Sequence, residues 1–180
     1  MKCKNFFKTM AAAICAASLL MTGCGSDKAA GDTIKIGAIG EMTGGNASYG
    51  TSMMRGFNMA VKEINANGGI NGKKIALVEA DTKSEPAEAA NAMSKLINQD
   101  KVSMVAGIFT SSSAIAACNI SETAKIPYLA IGATNPSVTV AKDGSTKPNT
   151  FRVCFIDPVQ GTVGANFVSN ELKAKTAALY

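Results

Sequence analysis

"IKIGAIGEMTGGNASYGTSMMRGFNMAVKEINANGGINGKKIALVEAD", residues 34–81, holds two apolar runs separated by a segment of helical period. Ile34 to Ile39 reads as a buried strand. The loop Gly40 to Gly50 is rich in glycine and small polar residues. From Thr51 to Ala66 the apolar residues Met54, Phe57, Val61 and Ile64 recur at spacings of three and four, which predicts an amphipathic helix. The Asn-Gly and Gly-Gly signals of "NANGGINGKK" end it. Ile75 to Ala80 is a second strand that stops at Asp81. Strand, helix and strand in this order form a crossover unit of a parallel sheet.

The pattern repeats downstream. Ser84 and Pro86 open a second helix with Met93, Leu96 and Ile97 facing inward. Val102 to Gly107 is a third strand, and Ser111, Ser112 and Ser113 open a third helix that ends before Pro127. Tyr128 to Ile131 is a short fourth strand, followed by the loop "GATNPSVT", residues 132–139. Phe151 to Phe155 is again extended. Val163, Phe167, Val168 and Leu172 predict one more helix. Thr176 to Tyr180 reads as the start of a further strand, and a chain that stops there reads as incomplete. Alternating strands and helices give an α/β fold, a parallel sheet covered by helices on both faces. Right-handed crossovers bring the loops Gly40–Gly50, Asp81–Ser84, Thr110–Ser113 and Gly132–Thr139 to one rim, where open α/β sheets bind ligands.

The 180 residues carry 18 Lys and Arg against 13 Asp and Glu. Three of the bases, Lys2, Lys4 and Lys8, form the positive start of a leader; without them 15 bases face 13 acids, a net +2. No dense basic patch remains, which argues against a nucleic-acid partner. Met10 to Met21, "MAAAICAASLLM", is an apolar run in the secretory range and too short to span a bilayer. The run ends in "MTGC", which is similar to a bacterial lipobox although Met21 stands where leucine is usual. Residues 1–23 are therefore expected to be a lipoprotein signal peptide. Cys24 is the expected lipidation site and would anchor the protein to the membrane, and 24–32 is a polar tether. Cys118 and Cys154 are left, and two separately buried thiols are expected rather than a disulfide. Absence of histidine excludes a Ser-His-Asp or Cys-His site built from these residues.

The rim carries the candidate chemistry. A helix N-terminus presents unpaired N–H groups and a positive dipole end, a ready anion site. Ser111 adds a hydroxyl there. With no lysine or arginine in the motif, a carboxylate fits better than a phosphate. Simple capping by serine explains the residues as well, and both readings stand at this point. Gly132, Ala133 and Thr134 offer a carbonyl, an amide and a hydroxyl at the same rim, or form an ordinary turn before Pro136. Tyr49, placed in the first loop, is a candidate aromatic wall. The glycines at 37, 40, 44 and 45 do not make GxGxxG, no Walker lysine is present, and Glu79 and Asp81 lack metal-ligand spacing. No cofactor, metal or catalytic residue is expected. A serine hydrolase would need a base and a GxSxG elbow that this chain lacks.

Taken in order, residues 34–97 with "GIFTSSS", "PYLAIGATNPSVT" and "FRVCFIDPVQG" resemble type I periplasmic binding proteins. The likeness is strongest to the branched-chain amino-acid (Leu/Ile/Val) substrate-binding proteins of ABC transporters. The resemblance implies two α/β lobes closing on an amino acid that is passed to permease subunits at the extracytoplasmic face of the cell membrane. It places Ser111 on the ligand carboxylate, with Ser112 a secondary contact. Gly132, Ala133 and Thr134 form the second contact loop, and Tyr49 lines the cleft. Residues 33–155 correspond to the N-terminal lobe and 156–180 to the start of the second. A sensor module for amino acids or other small carboxylates is the alternative use of the same fold.

Overall fold

The computed structural model describes residues 33–178. The leader, Cys24 and the tether lie outside the described residues. Five parallel strands form one sheet in the order β2-β1-β3-β4-β5. They are β1 (Thr33–Gly40), β2 (Lys74–Asp81), β3 (Met104–Gly107), β4 (Tyr128–Ala130) and β5 (Thr150–Arg152). The helices are α1 (Ala47–Ala66), α2 (Pro86–Asn98), α3 (Ser111–Ala124) and α4 (Asp157–Asn170), with a 3-10 turn at Pro136–Val138.

The chain leaves β1 for β2 on one side and returns across it to β3. With right-handed crossovers this reversal puts α1 on one face of the sheet and α2 and α3 on the other. The core lies under α2 and α3. Ile39, Val105 and Tyr128 from the sheet meet Met93, Leu96 and Ile97 of α2 and Ala114, Ala117 and Cys118 of α3. Met93, Leu96 and Ile97 are buried as their helical spacing predicts. Small residues on α3 let it lie close against α2, because without bulky side chains the two backbones can approach. Burial on the α1 face weakens toward the C-terminal end of the helix. Met54 is buried and Phe57 and Val61 are half-buried, whereas Ile64 stays 39% exposed.

Three local expectations are corrected. Helix α1 begins at Ala47 rather than Thr51, so Tyr49 stands on the helix and not in the loop. The fifth strand ends at Arg152, because β4 offers it only three partners, Tyr128 to Ala130. Residues 176–178 are not a strand; among the described residues nothing pairs with them, and a strand without a neighbour has no ladder to satisfy its backbone. Cys118 and Cys154 are both free, the first buried and the second partly exposed. No helix among the described residues is long and apolar enough to cross a membrane.

Candidate functional site

In register, Gly40 pairs with Asp81, Ile39 with Gly107, and Gly107 with Ala130, so the four predicted loops leave one edge of the sheet side by side. The first two are knotted together by Asp81. Its Oδ1 accepts from the N–H groups of Met42 (2.9 Å), Thr43 (3.2 Å) and Lys83 (2.8 Å), and its Oδ2 from the Thr43 hydroxyl (2.6 Å). Partial burial pushes this carboxyl up. The bonds from the Thr43 hydroxyl and from the amides of Lys83, Thr43 and Met42 outweigh that and hold it below the ordinary carboxylate value. Ser84 completes the knot, donating to the Thr43 carbonyl (2.7 Å) and accepting from the Asn46 N–H (3.0 Å).

The β3–α3 junction is strained. Gly107 has φ +135° and Ile108, a β-branched residue, has φ +58°. A Cβ on Gly107 would lie 1.8 Å from the Ile39 carbonyl oxygen. Side chains rarely adopt such backbone, and it persists only where the surroundings over-determine it. Five hydrogen bonds do so here. The Ile108 N–H donates to the Ile39 carbonyl (2.8 Å), and Tyr128 donates its phenol to the Gly107 carbonyl (3.3 Å). Glu41, with no exposed surface, accepts from the N–H groups of Phe109 and Thr110 (3.0 Å each) and from the Thr110 hydroxyl (2.7 Å). Burial, with Cys118, Glu41 and Cys154 nearby, pushes the Tyr128 phenol well above its ordinary value.

Helix α3 starts beyond this turn. Its N-cap is Thr110, which makes no side-chain cap bond. Ser111 stands at the first helical position, so the capping reading of its hydroxyl is not realised. Ser111 Oγ accepts instead from the Asn135 N–H (3.2 Å), joining the serine loop to the 132–135 loop. Its own proton is left to donate. The N–H groups of Ser111, Ser112 and Ser113 have no carbonyl within the helix to bond. Ser112 is exposed, and Ser113 is buried with its hydroxyl unpartnered.

Tyr49 on α1 stacks on Phe109, with ring centroids 4.2 Å apart and planes 6° apart. Gly132 lies under the same ring, and a Cβ there would come within 2.3 Å of Phe109 Cδ2. A side chain at this position would require the Phe109 ring to shift. Ala133 is buried, and its carbonyl accepts from Arg152 Nη1 (2.9 Å). Arg152 also donates to the carbonyls of Asn135 (3.0 Å) and Pro136 (3.3 Å) and to Thr139 Oγ1 (2.6 Å). The Thr134 carbonyl accepts from the Asp157 N–H (3.1 Å) at the start of α4. The structure thus gathers Ser111, Gly132, Ala133 and Thr134 at one place, with Tyr49 reaching it through Phe109. Glu41, Phe109 and Arg152 escaped the sequence reading. Each looks like an ordinary loop or strand residue until its distant partners are known. No cluster of three metal-binding side chains occurs among the described residues.

Residues 33–180 match the periplasmic binding protein family model. The chain belongs to the periplasmic binding protein family. An amino acid binding protein of Pseudomonas aeruginosa is 43% identical over 146 residues, covering 81% of this chain and 38% of the relative. Among solved structures, the branched-chain amino acid transporter substrate binding protein LivJ of Streptococcus pneumoniae, in complex with isoleucine, is 43% identical with a TM-score of 0.72. That match covers 79% of this chain and 40% of LivJ. A solute binding protein of an ABC transporter from Rhodopseudomonas palustris, in complex with 3,4-dihydroxy benzoic acid, is 27% identical with a TM-score of 0.69, covering 78% and 37%. The chain therefore spans about two fifths of the length of these relatives. The parallel sheet and its flanking helices are those of the type I periplasmic binding fold.

Proposed function

We propose that this periplasmic binding protein captures an amino acid, with a branched-chain side chain favoured, on the extracytoplasmic side of a bacterial membrane and delivers it to ABC permease subunits. The observation that carries the reading is the α3 N-terminus. The Ser111 hydroxyl keeps a free proton beside three unshared N–H groups, against the 132–134 loop. A carboxylate there would meet charge-assisted donors, each contributing about 1.5–3 kcal/mol. Gly132, Ala133 and Thr134 would serve the ammonium and carboxylate from the other side, with Ser112 at the margin. Tyr49 and Phe109 would wall the side chain. Residues 33–155 act as the first lobe and 156–180 begin the second. Cys24, acylated, would hold the protein at the membrane; radiolabelled fatty acid on the wild type and none on Cys24→Ser tests that step. The role is binding without turnover.

Isothermal calorimetry of the natural protein tests the reading. Isoleucine should bind, and Ser111→Ala should weaken it about tenfold or more, ~1.4 kcal/mol, with little change in thermal unfolding. Unchanged affinity would sink the assignment. The stacked Tyr49–Phe109 pair also favours a second reading, a small aromatic carboxylate, which the dihydroxybenzoate-bound relative makes concrete. Binding of a hydroxybenzoate but not isoleucine in the same titration would establish it.

A further inference from the structure

We infer that Glu41 is a positioning residue for the ligand-carboxylate contact, a role that rests on the Ser111 reading above. Among the described residues no other charged side chain is buried. A carboxylate held away from water is destabilising unless its oxygens are fully engaged. Those of Glu41 take three donors, all from Phe109 and Thr110. Glu41 directly follows β1, and Ser111 directly follows Thr110. The acid is therefore a strut between the first and third rim loops, bonded to residues 68 and 69 positions away in the chain.

The strut has two consequences for the site. It occupies the amides of Phe109 and Thr110, so the first unshared N–H at this rim is that of Ser111. It also braces the turn that follows the strained Gly107–Ile108 pair, and so sets where α3 begins. Phe109 is placed by the same bonds, with its ring between Tyr49 and Gly132. Loss of the carboxylate would free a strained loop to relax and carry the Ser111 hydroxyl with it. Glu41 needs no ligand contact to have this effect.

A double-mutant cycle on the natural protein tests the inference, with isoleucine titrated calorimetrically into wild type, Glu41→Ala, Ser111→Ala and the double variant. Glu41→Ala is expected to weaken binding about tenfold, ~1.4 kcal/mol, and the double variant to bind little worse than Ser111→Ala alone. Such non-additivity marks groups that act through one another. Additive losses, or unchanged affinity in Glu41→Ala, would overturn the positioning role while leaving the Ser111 site intact. Unchanged affinity in Ser111→Ala alone would overturn the site and this role together. If Glu41→Ala does not fold, Thr110→Val removes one of the three bonds and enters the same cycle. A smaller but still non-additive loss supports the strut, and an additive one overturns it.

Discussion

Helices α3 and α4 are both 14 residues long and both follow a strand of the same parallel sheet, yet α3 buries five residues and α4 buries none. The local signals do not explain the contrast. Helix α4 has a proline near its start and Asp157 in its first turn, both good N-terminal residues. Its Val159, Val163 and Phe167 repeat every fourth residue, an apolar stripe, but Val163 is 61% and Phe167 54% exposed. Helix α3 has small residues, Ser113, Ala114 and Ala117, where α4 has large ones, and it is buried because α2 lies against it and the sheet beneath. A helix can thus be specified locally while its burial depends on what packs beside it.

Four substitutions probe this contrast, beginning with the severest. Gly107→Val puts a side chain into the Ile39 carbonyl at a positive φ, directly before α3. It is expected to cost more than about 4 kcal/mol, enough to abolish cooperative unfolding in a urea titration. A folded variant with wild-type midpoint would show that the turn is less constrained than its contacts imply. Met93→Ala opens a cavity between α2, α3 and the sheet, and should cost about 2–5 kcal/mol by the same titration. A loss under 1 kcal/mol would mean that this side of the molecule is no better packed than α4.

Asp81→Ala tests the knot that holds the rim and should cost about 1 kcal/mol at neutral pH. The folded carboxyl sits below its unfolded value, so its stabilisation is present above pH of about 3.9 and is lost as pH falls through the lower folded value. Unfolding midpoints measured from pH 7 to pH 2 should therefore show a shallower acid decline in the variant than in the wild type; parallel declines would assign the pH dependence elsewhere. Phe167→Ala, on the exposed stripe of α4, should change stability by no more than about 0.5 kcal/mol. A loss of 2 kcal/mol or more would show that α4 is covered in solution.

Most of the fold was legible from period and punctuation. Met93, Leu96 and Ile97 point inward because their spacing already places them on one side of a helix. The serines mark the start of α3 because small polar residues follow an apolar strand. The misplacement of Tyr49 has an equally local cause. "NASYG" looks like loop by composition, but α1 takes in its last four residues, which turns Tyr49 toward Phe109. Candidate ligand residues were found where a motif concentrates donors, at Ser111 and at 132–134. Glu41, Phe109 and Arg152 were missed because their work is done across 13 to 69 residues of chain. No short window shows a carboxylate buried under a loop that distant, or a ring lying on a glycine from another loop.

By itself, the sequence determined that this protein alternates strands and helices into a parallel sheet, and that its small polar loops gather at one rim. Hydrophobic period and turn residues act over a few residues, and they suffice for that. Tertiary structure alone decided that Ser111 bonds the Asn135 backbone rather than caps its helix. It also decided that Glu41 is buried under the serine loop and that the Phe109 ring lies over Gly132. These outcomes depend on which groups compete for the same donors and the same space, and the competitors meet only after the chain has folded.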